Sequence, residues 1–370
     1  MAQSDGSFDY QIHYFIKGDS IMFKNKVIAV SLTTVMALGA VVPMVDANAA
    51  SVKVASKSSQ KSKQKALYTY AKKMLKQNKD GLSSKAKIFS KSAFPTTGAA
   101  SGYSDFLLGL KKQGYKFTSA NKKLVKKNLV VSSKSDPATL ANAIIGLQAI
   151  GVNPTKYTSA GAKKSLNLVS TLYKTSMSKQ TVNVQSAALV AVSSNKTFKQ
   201  PSKAKFSKSS LSLKIAKNKQ SNNGWAYNNT AASVDSDTTS TVVNALTMSK
   251  SKNKTVTAAT KAGRSYLKKH IYKSGAFGYT YAGKENPNAN STAEGILALA
   301  TNKTAFSFIN KKAIKSGQTA TPLKAMFSYV KSDGSIKGAY SMVLAYGQVS
   351  VATNAYHNGS YTSKLAYTFK

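Results

Sequence analysis

The stretch "GWAYNNTAASVDSDTTSTVVNAL" (224–246) decides how the whole chain is read. A Gly-aromatic turn leads through a short acidic loop into a lysine-free apolar segment. Asp235 and Asp237 could serve there in two ways. Acids at a helix start satisfy backbone N–H groups that have no intrahelical partner, and they complement the helix dipole. A carboxyl held protonated could instead donate a proton to a substrate. The run "TTSTVVNAL" that follows favours the first duty, so both acids are expected to start a helix. They are also the candidate catalytic residues, should there be any.

Moving outward from this stretch, helical patterns alternate in two kinds. One is lysine-free and built of small or aliphatic residues: 137–151, 185–192, 238–248, 291–300 and 339–352. The other is amphipathic and lysine-rich: 120–131, 160–174, 257–272 and 321–331. A helix apolar on most faces must be buried on most faces, while a helix with one apolar stripe lies outside. Leu147, Leu189, Leu246, Leu299 and Leu344 recur at intervals of 42 to 57 residues, the size of a helical hairpin with its loops. The pattern predicts an all-α chain of stacked hairpins, lysine-free helices inside and lysine-rich helices around them. Asp136-Pro137 and Thr321-Pro322 read as N-cap residues before a first-turn proline. Ser291-Thr292-Ala293-Glu294 reads as a capping box.

The segments "GWAYNN…VDSDTTSTVVNAL" and "GAFGYTYAGKENPNANSTAEGILAL" resemble two consecutive prenyltransferase/squalene-oxidase-type repeats. In each, a Gly-aromatic turn, a polar loop and a T-x-x-x-x-A-L-type helix follow in order. The resemblance implies the α/α toroid of terpenoid cyclases, prenyltransferase β subunits and cobalamin carriers, in the form exported by Gram-positive cells. Class II cyclases of this kind carry D-x-D-D at the start of an inner helix. "DSDT" aligns Asp235 and Asp237 with its first two acids, and Thr238 replaces the last. Prenyltransferases hold zinc with Asp, Cys and His. This chain has no cysteine, and after residue 50 only His270 and His357, so no metal or other cofactor is expected. An enzyme is the less expected outcome. The aromatics Trp225, Tyr227, Phe277, Tyr279, Tyr281 and Tyr340, set in turns at one end of successive inner helices, are the candidate ligand-binding residues, with structural packing as wedges between repeats the favoured alternative.

Charge narrows the partner. Lys+Arg is 54 against Asp+Glu 12, a net +42, and Arg264 is the single arginine. Readers of nucleic acid lean on arginine for bidentate contacts, whereas scattered lysine acts as point charge. A diffuse cationic shell suits anionic wall polymer (teichoic acid-like) or glycan, bound with release of counterions.

The N-terminal stretch reads as an address. Residues 22–49 combine a basic start, an apolar run and Ala47-Asn48-Ala49, the pattern of a signal peptide. Residues 1–21 are polar and read as an over-extended start. Residues 50–65 are Ser/Lys-rich and read as a linker, with the toroid over 66–370. No stretch after Ala49 has the roughly 20 apolar residues of a membrane span. The expectation is a secreted, cell-surface protein, non-covalently wall-associated and non-catalytic. A carrier of an isoprenoid or cobalamin-like ligand is the alternative, and a reduced cyclase-type enzyme the third.

Overall fold

In chain order the helices are α1 (Lys57–Gln77), α2 (Ala100–Lys112), α3 (Ser119–Asn128), α4 (Pro137–Ala149), α5 (Leu168–Tyr173), α6 (Val182–Ser193) and α7 (Lys208–Lys217). They continue as α8 (Ser236–Ser249), α9 (Lys254–Lys269), α10 (Ala289–Leu299), α11 (Lys303–Asn310), α12 (Pro322–Ser328) and α13 (Met342–His357). Two short antiparallel hairpins precede α8 and α10: β1 (Trp225–Ala226) with β2 (Val234–Asp235), and β3 (Gly278–Tyr281) with β4 (Lys284–Pro287). The structure, a computed structural model, describes residues 51–77 and 100–369, apart from 160, 229, 231–232, 282–283, 340 and 362–364. The expected signal peptide, the residues before it and Tyr340 lie outside the described residues.

Six helices close on themselves. α2 packs on α4, α4 on α6, α6 on α8, α8 on α10, α10 on α13, and α13 returns to α2. Around them lie α5, against α4 and α6; α7, against α6 and α8; and α9, against α8 and α10. Helices α11 and α12 cover α10, and α1 lies on α13. The fold is an all-α ring of helical hairpins, an α/α toroid.

Sequence explains which helix goes where. In α4, eleven of thirteen residues are buried, because Ala, Leu, Ile and Gly occupy every face. In α9, six of sixteen are buried, and they trace one stripe through Val256, Ala259, Thr260, Gly263, Tyr266 and Leu267. The remaining α9 faces carry Lys254, Lys261 and Lys269 into solvent. The seam where the ring closes, between α2 and α13, depends on small residues. A Cβ on Gly347 would stand 2.4 Å from the Asp105 carbonyl carbon, so only glycine lets the two backbones approach this closely.

Helix starts follow the expected chemistry with two exceptions. Asp136 caps α4, its carboxylate accepting from the Thr139 N–H at 2.9 Å and the Thr139 hydroxyl at 2.6 Å. Thr321 occupies the N-cap of α12, but its hydroxyl donates to Asn310 Oδ1 at 3.1 Å and makes no side-chain cap. The capping box over 291–294 is corrected. Helix α10 starts three residues earlier, with Asn288 as N-cap accepting from the Ser291 N–H at 2.8 Å. Glu294 therefore lies in the second turn, away from the helix start.

The linker expected at 50–65 is also corrected, since α1 begins at Lys57 and the residues before it are docked. Lys53 pairs with Ala320, and Asn310 grips Ala55 through both its amide atoms, at 2.7 and 2.9 Å. Along α1, Gln60, Leu67, Ala71 and Met74 are buried at helical spacing. The N-terminal half of that stripe uses Gln60 and the stem of Lys63, which reaches the Val330 carbonyl. Long polar side chains can cover a surface that way while composition suggests a linker.

Candidate functional site

The two hairpin-to-helix repeats are built alike. Trp225 and Phe277 follow their Gly-aromatic turns and are both 0 % exposed. The Trp225 N–H donates to Thr239 Oγ1 at 3.0 Å, and the Phe277 N–H donates to Thr292 Oγ1 at 3.1 Å. The Trp225 indole also donates to the Ile215 carbonyl at 2.8 Å. Each ring presses on a glycine of a neighbouring helix, Trp225 on Gly263 and Phe277 on Gly295. Both aromatics are wedges between helices, the packing alternative their Gly-aromatic turns allowed, and neither ring is open to a ligand. Tyr227 and Tyr279 are partly buried; Tyr281 lies in β3.

The two acids of the opening stretch part company. Asp235 is the N-cap of α8, accepting from the Thr238 N–H at 2.6 Å and the Thr238 hydroxyl at 2.8 Å. Asp237 sits in the first turn without capping it, and accepts from the Ser291 hydroxyl of α10 at 3.1 Å. Its own atoms stay open to water although protein surrounds it at longer range, the situation of a recessed group. Burial and the neighbouring Asp235 push its carboxyl upward, and the Ser291 hydroxyl pulls it part of the way back.

Two further acids stand on the inner helices, and one of them, Glu294, lies close enough to feel the charge of both Asp105 and Asp237. Asp105 of α2 accepts from the Tyr367 hydroxyl at 3.1 Å, and burial pushes it up to about 7. Glu294 of α10 is pushed up to about 8, by burial first and then by Asp105 and Asp237. Asn290 donates to Gln348 of α13 at 2.5 Å, and Gln348 in turn hydrogen-bonds Glu294. None of these shifts has a cation among its causes. Among the described residues no three His, Asp or Glu side chains gather closely enough to hold a metal ion. His270 instead stacks on Tyr266, with ring centroids 3.8 Å apart.

The positions left partly open on the inner helices are polar for the most part: Asn142, Asn183, Asp237, Thr241, Asn290 and Glu294. Gln348 of α13 belongs with them and is 8 % exposed. The chain's own C-terminal segment reaches this interior. The Tyr367 hydroxyl extends to Asp105, while Phe369 donates from its N–H to the Ser194 carbonyl at the C-terminal end of α6 at 2.7 Å. Among the described residues this lining offers mainly hydrogen bonds and carboxyl groups, with the single Tyr367 ring beside Asp105, where a cyclase would need several aromatic walls to steady a carbocation.

No family profile matches the chain, and no curated protein does. Among solved structures, a ligand-free variant of the type II terpene cyclase MstE from Scytonema is similar at 11 % sequence identity. The alignment has a TM-score of 0.49 and covers 82 % of this chain and 99 % of that one. The toroid itself is defined by the closed ring of α2, α4, α6, α8, α10 and α13.

Proposed function

We propose that this protein is an exported, non-catalytic surface protein whose lysine shell holds anionic wall polymer or glycan. The observation that supports this most is the separation of charge. Of the acids in the described residues, Asp105, Asp237 and Glu294 turn into the ring and Asp136 and Asp235 are engaged as caps. Only Glu285 and Asp333 are exposed apart from the recessed Asp237, while lysines stand out along the outer helices. The exterior is thus a nearly unopposed cationic surface, which polyanions neutralise with release of their counterions. No helix among the described residues is long and apolar enough to cross a membrane. The test is a pull-down with purified wall fragments, with and without teichoic acid, across a salt series. Retention lost on removing the polymer or raising salt supports the proposal; retention indifferent to both sinks it.

One observation favours a second reading. Asp237, pushed upward by burial and Asp235, has the protonated character that a Brønsted acid needs. A reduced cyclase-type enzyme would use it so. Against that stand the missing fourth-position acid, occupied by Thr238, and the polar interior. The same interior weighs against carriage of an isoprenoid. Asp237→Asn, assayed for turnover of isoprenoid diphosphates and alkenes, separates the readings: product formation by the parent and its loss in the variant would revive the enzyme.

A further inference from the structure

The residues that follow α13 cross the ring. They leave the end of α13 at His357 and reach the end of α6, where the Phe369 N–H donates to the Ser194 carbonyl at 2.7 Å and Phe369 bridges to Asn195. Around the ring, α13 and α6 lie three places apart in either direction, by way of α2 and α4 or of α10 and α8. The two helices therefore stand opposite one another. A segment that joins their ends must span the opening between all six, and Leu365 and Ala366 are buried along the way.

From this crossing Tyr367 turns inward, and its hydroxyl donates to Asp105 in the second turn of α2 at 3.1 Å. Burial first, then Asp105 and Glu294, push that hydroxyl well above the ordinary tyrosine range, so it keeps its proton and remains a donor. The opposite end of the interior differs. Asp237, in the first turn of α8, stays open to water. The interior thus has a wet mouth at the helix starts and a covered one at the helix ends.

The cover is lightly fastened. Among the described residues its one pairing is the isolated bridge at Asn195, and Tyr367, Thr368 and Phe369 each keep part of their surface exposed. A hollow of about 390 Å³ lies against Phe369, lined also by Gln148, Asn195 and Phe198. The ring itself closes through α13 on α2, a contact between helices in which the crossing segment takes no part. Segments with few buried apolar contacts open at lower free energy than the core they rest on. Here the ring can stay closed while the crossing segment leaves.

We propose that residues 365–369 form a displaceable plug, which shuts the ring interior at the ends of the inner helices and, on swinging out, opens Asp105 to solutes from that side. The inference stands apart from the polymer-binding reading and needs no part of it.

Two measurements on the full chain test it: native-state amide hydrogen exchange across a urea series, and carboxyl labelling with a water-soluble carbodiimide and glycine ethyl ester. The Phe369 amide should exchange through a local opening that urea hardly changes, whereas the Leu189 amide of α6 should exchange through a urea-dependent one. Asp105 should label more slowly than Asp237. Tyr367→Phe removes one hydrogen bond and should speed both Phe369 exchange and Asp105 labelling about fivefold, with Leu189 and Asp237 unchanged. If that variant disturbs the ring, seen as faster exchange at Leu189, Phe369→Pro removes only the bond to Ser194 and carries the same labelling comparison. A single urea dependence shared by Phe369 and Leu189 would make the segment part of the ring and overturn the plug. Asp105 labelling as fast as Asp237 in the parent would overturn it too, as would faster Phe369 exchange in the variant with Asp105 labelling unmoved.

Discussion

The repeat running from Gly224 into α8 and the repeat running from Ala276 into α10 use one scaffold for two chemistries. Each buries an aromatic after a hairpin turn, braces that aromatic's backbone with an inner-helix threonine, and caps the helix with an Asx residue. The counterparts match in order: Trp225 with Phe277, Thr239 with Thr292, Asp235 with Asn288. The carboxyls do not match. The first repeat places Asp237 in the opening turn, where the second has Asn290, and the second places Glu294 one turn deeper, where the first has Thr241. What the repeats share is therefore packing, and what separates them is the position of charge inside the ring. Repetition builds the toroid, and departures from repetition mark its interior chemistry.

The largest effect should come from removing the shared wedge. Trp225→Ala and Phe277→Ala should each cost about 3–5 kcal/mol in urea unfolding, since both rings are fully buried. A ligand-facing aromatic would instead lose binding and little stability, so a loss under about 1 kcal/mol at either site would break the equivalence. Next come the braces. Thr239→Val and Thr292→Val each leave a buried backbone N–H without its acceptor, and each should cost about 1–3 kcal/mol. Unequal losses would show that one repeat carries more of the ring's stability than the other.

A smaller effect separates the acids. Asp235→Ala removes a cap and should lower stability by about 0.5–2 kcal/mol. Asp237→Asn removes a charge that burial and Asp235 oppose, and should leave the thermal midpoint at neutral pH unchanged or raised. The pH dependence follows from the same shifts. Carboxyls raised in the folded protein bind more protons there than in the unfolded chain, so stability falls as pH rises between about 4 and about 8. Discounted for partial exposure, the loss should be on the order of 2 kcal/mol, read as a thermal midpoint lower at pH 8 than at pH 5. Glu294→Gln should flatten the profile.

The outer-versus-inner partition was legible in the sequence because lysine cannot be buried on all sides. All five segments expected inside are inner helices, and the capping of α8 by Asp235 was readable from local spacing. Helix α2 was not, since Asp105, Lys111 and Lys112 disguise an otherwise apolar inner helix. Helix α1 was missed because its buried stripe opens with Gln60 and Lys63 in place of aliphatics. The wedge role of Trp225 and Phe277 was legible in their Gly-aromatic turns, but its partners Gly263 and Gly295, which make room for the rings, show only in three dimensions. Glu294 was misassigned for a related reason: Ser-x-x-Glu is a cap motif only when Ser stands at the start, and Asn288 had already taken that place. The meeting of Asp105, Asp237 and Glu294 joins three hairpins, and no local spacing encodes it.

Charge segregation is the centre of the account: acids withdrawn into the ring leave the lysines outside without counter-charges. Titrating the side-chain carboxyl carbons by ¹³C NMR tests it most directly. Asp105 and Glu294 should change protonation near pH 7 and pH 8, well above the exposed Asp333, whose Ser335 hydrogen bonds hold it below the usual aspartate range. Both titrating near pH 4, in the ordinary carboxylate range, would place the acids in open water and contradict the account.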